Sequence, residues 1–206
     1  MWFILQKEML KFVKILSKGL ERDSRLSIFF GEEYCRLVLD FNKRVTAVSN
    51  NYTTALEKLL LQLPPKTKII FKHDIFLDHG EIILINEIIE MSYIENSGET
   101  LIKFTLCVPD EEELCVTGYD DFGIALKALN LKLNRNIETC VYCSKSDFMS
   151  NGGEDLRHGW FCFRDVTNVD MSKPWYDRID KFDQAYPNMS AFYWCPEFQY
   201  KCKVFA

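Results

Sequence analysis

The sequence has no long apolar run, no linker and no signal-like leader. No window approaches the roughly 20 consecutive apolar residues that a membrane span requires. Lys7 and Glu8 arrive too soon after the first apolar residues for the uninterrupted core, about 7–15 residues long, of a secretory signal peptide. No Pro- or Gly-rich stretch divides the chain, which indicates one continuous body. We therefore expect a cytoplasmic protein that makes no use of a membrane.

Several kinds of functional motif are also missing. The chain has no Ser-His-Asp order, no Gly-rich phosphate loop and no H-E-x-x-H motif. Its net charge is -5, so it lacks the basic surface that contact with a nucleic-acid backbone requires. An acidic surface is compatible with a basic protein partner. The 206 residues, 48% of them apolar, are enough for a proper hydrophobic core.

The most informative pattern along the first two thirds of the chain is an internal repeat. Residues 36–63 align without a gap with residues 106–133, and the aligned pairs include many identical Leu, Ala, Val and Asp residues. Each copy has two β-prone runs followed by a residue suited to cap a helix, Asn51 or Asp121. An amphipathic helix pattern and a closing β-prone run follow. The predicted copies are about 36–72 and 106–142.

These patterns predict an α+β fold. We expect a mixed or antiparallel sheet made from two related ββαβ halves, with the helices on one face. The Ile-rich residues 81–94 predict a further strand, and residues 96–98 a hairpin turn. Residues 9–20 are compatible with a helix or a strand. The repeated α+β part is predicted to span residues 1–139, with residues 140–206 packed on it as a zinc-organised segment.

The C-terminal segment is rich in aromatic residues and poor in aliphatic ones. Of the 29 aromatic residues, 13 lie between Trp160 and Phe205. Such a segment builds a core from aromatic rings, or from a metal ion that ties its loops together.

The cysteines point to a metal. In a reducing compartment disulfides are rare, so clustered cysteines there more often bind metal. Cys140 and Cys143 form a C-x2-C pair, Cys162 follows after 18 residues, and Cys195 after another 32. Four thiolates satisfy the tetrahedral preference of zinc and leave no position for water, which is typical of a structural site. We predict that these four residues hold one structural Zn²⁺.

Three alternatives to this ligand set stay open. His158 or Cys202 can take the place of one cysteine. Cys140 and Cys143 can be a redox pair, although such a pair normally begins a helix. The thiols can also be buried and unligated.

The other cysteines lie in apolar runs that look like strands. Cys35, Cys107 and Cys115 are expected to be small core residues.

The C-terminal motifs resemble a known signature. The stretch that begins at Cys140 and ends at Phe148, the later Cys162-Phe163-Arg164 and the final Tyr193-Trp194-Cys195-Pro196-Glu197-Phe198 are similar to a family of uncharacterised small bacterial proteins. That family carries a C-x2-C-x-x-S-D-[YF] stretch, then C-F-R, then Y-x-C-P-E-F. The resemblance covers about residues 120–200 and implies no particular activity. Met149 and Ser150 stand where the family commonly has a proline.

Two functional hypotheses follow. The first is a protein-binding factor, for example immunity or antitoxin-like, with no catalysis of its own. The second is an enzyme with an unfamiliar site near Cys195, Glu197 and His158. An exposed aromatic patch rimmed by acidic residues would favour binding. A deep pocket beside an open zinc position would favour the enzyme.

Overall fold

A computed structural model describes residues 7–31, 34–119, 121–148 and 159–201. The elements in chain order are β1 (Lys7–Ser17), β2 (Leu20–Phe30), β3 (Cys35–Phe41), β4 (Lys43–Ser49), α1 (Tyr52–Leu61), β5 (Lys68–Phe76), β6 (Ile82–Ile94), β7 (Glu99–Cys107), β8 (Cys115–Tyr119), α2 (Phe122–Leu133), β9 (Ser146–Phe148), β10 (Trp160–Cys162) and β11 (Tyr186–Met189). Short 3-10 turns cover Asp78–Gly80, Glu112–Leu114 and Cys140–Tyr142, and a longer 3-10 helix covers Trp175–Gln184.

Eight strands form one sheet in the order β4-β3-β2-β1-β5-β6-β7-β8. Neighbouring strands in this order pair antiparallel. The two strands at the centre, β1 and β5, are joined through a short register that runs from Lys14↔Ile70 to Leu16↔Lys68. The prediction of an α+β fold with an antiparallel sheet is therefore confirmed.

Alternation along the strands gives the sheet one apolar face. The cross-strand pairs Leu39↔Val45 and Ile15↔Ile69 lie on this face, and all four side chains are buried. Both helices pack against it, α1 over β3 and β4 and α2 over β7 and β8. At Gly118 the approach of α2 is so close that an added Cβ would lie 2.7 Å from the Asp121 carbonyl oxygen. A glycine is needed there because no larger side chain fits between β8 and the helix.

The two helices begin where the sequence predicts. The Asn51 side chain accepts a hydrogen bond from the amide of Thr54 at 2.8 Å, and the Asp121 side chain accepts one from the amide of Gly123 at 2.7 Å. Each cap satisfies an amide of the first turn that has no partner within its helix. The predicted strand over 81–94 is β6, and the amide of Gly98 closes the predicted turn by donating to Ile94 O at 2.9 Å. Residues 9–20, which the sequence leaves open between helix and strand, lie mostly in a strand, because β1 covers Lys7–Ser17.

One element of the predicted repeat is wrong. Residues 137–142 were expected to close the second copy as a strand. Ile137 instead makes an isolated bridge to Leu77, and Cys140–Tyr142 is a 3-10 turn. This part of the chain leaves the large sheet because its carbonyl and amide groups bond to the cysteine-bearing loops, as in the bond from the Cys140 amide to Tyr193 O at 2.8 Å.

The C-terminal residues form a small three-stranded sheet in the order β11-β10-β9. Aromatic rings connect this region to the large sheet. Phe192 stacks on His73 with ring centroids 4.1 Å apart, and Trp194 stacks on Phe76 at 4.5 Å. Phe163 and Phe182 form a second, smaller core beside the first. Phe163, Phe182 and Phe192 therefore pack as core residues, as the composition predicts, whereas the tyrosines Tyr176, Tyr186, Tyr193 and Tyr200 are exposed.

A further correction concerns two cysteines. Cys35 is buried in the core as expected, but Cys107 and Cys115 form a disulfide across β7 and β8. They are direct partners in the antiparallel register, on the face of the sheet opposite the helices, so the two sulfurs meet there rather than in the core.

In the described part of the chain no helix is long and apolar enough to cross a membrane.

Candidate metal centre

The first two predicted ligands lie on one tight turn. The amide of Cys143 donates to Cys140 O at 3.1 Å and so closes the 3-10 turn Cys140–Tyr142. The hydroxyl of Ser146 donates to Cys143 O at 3.0 Å and also to Cys140 O. Both carbonyl groups also accept backbone amides, Cys140 O from Cys143 and Cys143 O from Ser146, so the almost completely buried Ser146 hydroxyl adds a further bond to the turn.

The other two predicted ligands come from separate parts of the segment. Cys162 ends β10, where it pairs with Ser146 on one side and with Tyr186 on the other. Cys195 begins a turn that the amide of Phe198 closes at 3.1 Å. The chain then returns to the first turn, where Cys143 bridges to Tyr200. Two turns and one strand end therefore bring the four cysteines to one region, and all four are buried free thiols.

The four sulfurs influence one another electrostatically. Burial is the largest cause that raises the pKa of the Cys140 thiol to about 12; the neighbouring Cys162, Cys143 and Cys195 contribute to this rise, and Lys201 opposes it. The pKa of Cys162 is also raised, mainly by burial and further by Cys195 and Cys143. Arg164 opposes this rise without cancelling it. Apolar surroundings and like charges therefore favour the neutral thiol at Cys140 and at Cys162.

The four thiols lie in one region of the fold but do not form a metal-holding group. Among residues 7–31, 34–119, 121–148 and 159–201, no group of three or more His, Cys, Asp or Glu side chains is placed to hold a metal ion. Zinc–thiolate bonds are about 2.3 Å long, whereas electrostatic influence between thiols reaches further. The four side chains therefore have the right chemistry and a shared region, and need a rearrangement to become ligands.

Two cations accompany the thiols. The Lys201 amide donates to Tyr142 O at 3.0 Å, and its Nζ donates to Val141 O at 3.4 Å and lies 4.9 Å from the centre of the Trp160 ring. The pKa of Lys201 is lowered, mainly by burial. Asp147, Cys143 and Cys140 act in the opposite direction but do not cancel this shift.

The second cation is Arg164, two residues after Cys162. Its guanidinium lies 4.8 Å from the centre of the Tyr186 ring. Desolvation lowers the pKa of Arg164, but hydrogen bonds with Tyr186 and Cys195 outweigh it and raise that pKa.

A buried ion pair fixes the neighbouring 3-10 helix. The guanidinium of Arg178 bonds to the carboxylate of Asp147, which lies on β9 beside the cysteine turn. Arg178 also donates to Lys173 O at 3.0 Å and lies 5.6 Å from the centre of the Phe163 ring. The sequence gives no signal for this pair, because 30 residues separate its members along the chain.

The remaining predicted residues contribute little to this region. Glu197 is on the surface, where its carboxylate accepts from Lys145 at 3.3 Å. His158 and Cys202, the proposed substitutes in the ligand set, lie outside the described residues.

A second polar group lies in the core and was missed by sequence reasoning. His73 Nε2 is 2.9 Å from Glu87 Oε2, and Glu87 is almost completely buried. Lys11 is close by: burial lowers its pKa and the charge of Glu87 opposes that shift. Phe192 covers His73, so the C-terminal segment shields this group from water. Only the strand pairing places these residues together, since they come from β1, β5 and β6.

Comparisons with protein-family models, with curated proteins and with solved structures find no match to this chain.

Proposed function

We propose that this chain is a protein-binding factor of the immunity or antitoxin-like kind, without catalysis of its own. One observation carries the proposal. Asp177, Asp180 and Asp183 follow one another every third residue along the 3-10 helix Trp175–Gln184, and all three are exposed. A 3-10 helix has three residues per turn, so these side chains lie in one row. We call them the aspartate row.

Apolar side chains stand beside this row. Tyr176 is 62% exposed and Ile179 is 57% exposed, and they too are three residues apart. Interfaces commonly combine such aromatic and aliphatic anchors with a charged rim. A negative rim attracts a positively charged partner and speeds its association. These features favour a basic protein as the partner.

Residues of the same helix outside the aspartate row anchor it. Arg178 and Phe182 are buried, the first in its ion pair with Asp147 and the second against Phe163. The aspartate row is therefore presented on a fixed support rather than on a free loop, and a rigid support lowers the entropy lost on binding.

We propose that one structural Zn²⁺, held by Cys140, Cys143, Cys162 and Cys195, organises the segment that carries this surface. The support for it is the meeting of four buried thiols from three separate chain segments. Metal binding would complete the ligand set by rotating cysteine side chains. It would also contribute to folding, because the unfolded segment holds no preformed site. The zinc would have a structural role only, since four thiolates leave no open position.

We further infer that the large sheet consists of two related halves. The units β3-β4-α1 and β7-β8-α2 occupy opposite ends of the strand order, and each helix starts at a capping side chain, Asn51 or Asp121. The unit that the two halves share is then ββα rather than the predicted ββαβ. Two further antiparallel strands precede it in each half, β1 and β2 in the first and β5 and β6 in the second.

The alternative function, an enzyme with a site near Cys195, Glu197 and His158, has less support. The Glu197 carboxylate is half-exposed and is paired with Lys145 on the surface. The raised pKa of Cys140 likewise disfavours a redox pair with Cys143, because a reactive cysteine needs a lowered one.

The binding proposal is tested by reversing the charge of the aspartate row. The variant changes all three residues to lysine, and a matched control changes Glu111, Glu112 and Glu113, which are equally exposed in the loop before β8, to lysine. A partner is captured by cross-linking in the native cells, purified, and titrated calorimetrically against each variant. We expect the row variant to bind at least about tenfold more weakly and the control to bind like the wild type. Equal loss in both variants would show that only net charge matters, and unchanged binding in both would place the interface elsewhere.

The zinc proposal is tested with four single variants. Cys162→Ser and Cys195→Ser are expected to release zinc and lower the melting temperature. His158→Ala and Glu197→Gln are expected to retain zinc and cost at most about 1–2 kcal/mol. If His158→Ala releases the metal while Cys195→Ser keeps it, the ligand set is wrong and an open, catalytic zinc site takes its place.

A further inference from the structure

We propose that side chains of the two helices close both edges of the eight-stranded sheet to strand addition, and so keep the chain from pairing edge to edge with a second copy of itself. The inference depends neither on the zinc centre nor on the aspartate row.

The large sheet ends in two edge strands, β4 and β8. Each has a neighbouring strand on one side only, β3 for β4 and β7 for β8. The other side of an edge strand carries amide and carbonyl groups to which a further strand can bond, so an edge is a place where copies of a chain associate. A sheet of this kind therefore needs a feature that blocks such pairing.

At the β4 edge, two side chains of α1 and its C-cap bond to strand carbonyl groups. Gln62 Nε2 donates to Thr46 O at 3.1 Å, and Lys58 Nζ donates to Val48 O at 3.3 Å. Thr46 and Val48 are two residues apart, so their carbonyl groups point to the same side of the strand. Because Lys58 and Gln62 are both exposed, they reach this side from solvent rather than from the core. Two neighbouring acceptors along β4 are thereby occupied.

At the β8 edge, one lysine of α2 has the same role. The amide of Val108 donates to Leu114 O, so the next residue, Cys115, directs its own carbonyl group away from β7. Lys132 Nζ donates to that carbonyl at 3.1 Å and also to Glu113 O. The exposed Lys132 side chain thus crosses the free side of β8 where the strand begins.

The blocking side chains at the two edges occupy matching places in the sequence. Gln62 and Lys132 are 70 residues apart, which is the offset at which residues 36–63 align with residues 106–133. Gln62 is the C-cap of α1, and Lys132 lies in the last turn of α2. The same contact at both ends of the sheet indicates a feature of the fold rather than the chance position of one surface side chain.

Other features of the edges act in the same direction. β8 is only five residues long, and β4 begins with the exposed Lys43 and Arg44. Short edge strands and charged side chains on an edge are common means of preventing pairing between sheets. The helix side chains complete this protection along the parts of the edges that have no charge of their own.

The test removes the blocking donors and measures self-association. Lys58→Ala/Gln62→Ala opens the β4 edge, and Lys132→Ala opens the β8 edge. Lys127→Ala is the matched control, because Lys127 is an exposed lysine of the same helix as Lys132. Each of the three variants loses one lysine, so each has the same net charge, one unit more negative than the -5 of the wild type. Alanine is the strongest helix former, so the helices are expected to fold in all of them, which circular dichroism checks.

Association is measured by sedimentation velocity over a range of protein concentrations. Hydrogen exchange of the amides of residues 43–49 and 115–119 shows whether an edge forms the contact. We expect each edge variant to associate at concentrations about tenfold below those at which the wild type does, because a tenfold change corresponds to little more than one hydrogen bond. The amides of the opened edge should then exchange more slowly.

Lys127→Ala is expected to behave like the wild type, and so is Lys132→Arg, which keeps a donor at the β8 edge. Wild-type behaviour of both edge variants would overturn the inference. Equal association of Lys127→Ala would also overturn it, as would association that leaves exchange at the edges unchanged.

Discussion

Phe192 is the side chain whose removal best tests how the C-terminal segment is held to the large sheet. Its ring is 6% exposed, stacks on His73 at 4.1 Å and meets Phe122 of α2 edge-on at 5.5 Å. Truncating a buried Phe to Ala costs about 3–5 kcal/mol. That loss is a large part of the roughly 5–15 kcal/mol by which a folded domain is stable.

The assay is urea unfolding followed by circular dichroism, at a fixed concentration of added zinc. With a urea dependence of about 2–3 kcal/mol per molar, Phe192→Ala should lower the midpoint by about 1–2.5 M. The matched control is Phe12→Ala, because the Phe12 ring is 74% exposed on the opposite face of the sheet and should cost no more than about 0.5 kcal/mol. If Phe192→Ala lowers the midpoint no more than Phe12→Ala does, the segment is not packed on the sheet as described.

Three further predictions concern other contacts. Asp147→Asn should destabilise the fold by about 3 kcal/mol, because it leaves the buried Arg178 without its carboxylate; a loss below about 1 kcal/mol in the same urea assay would contradict this. Gly118→Ala should cost about 1–3 kcal/mol through the clash of its new Cβ with the start of α2, and a neutral effect on the melting temperature would show that α2 shifts freely. The Arg135 side chain holds the pKa of Asp78 below its usual value, so this pair contributes stability above pH about 4 that is lost as pH falls through the lowered pKa. Asp78→Asn should therefore flatten the acid limb of the stability–pH curve, and an unchanged limb would argue against the pair.

Local signals in the sequence predict some of these elements correctly. Asn51 and Asp121 cap the helices because their side chains can reach amides two or three residues ahead, which is a purely local interaction. β6 is also predicted from a local signal, because its run of β-branched isoleucines favours a strand. The strand at residues 137–142 was predicted on similar local grounds and is wrong, because hydrogen bonds to distant loops decide its conformation.

The pairings that matter most at the candidate site are long-range. The residues near Cys107 do not predict that Cys115 lies opposite it, because the pairing of the two cysteines depends on the register of β7 and β8. The approach of Lys201 to the cysteine turn depends on how the chain returns after Cys195. The cysteine spacing predicts which residues belong together, whereas the cations that accompany them emerge only from the fold.

The most direct test of the account is the zinc content of the wild-type protein. Protein purified without added metal or chelator is measured for zinc by mass spectrometry, and its reactive thiols are counted under native conditions. The proposed zinc centre predicts about one zinc per chain, with Cys140, Cys143, Cys162 and Cys195 unreactive until a chelator removes the metal. Protein that carries no zinc and whose Cys140 and Cys143 react freely would contradict it.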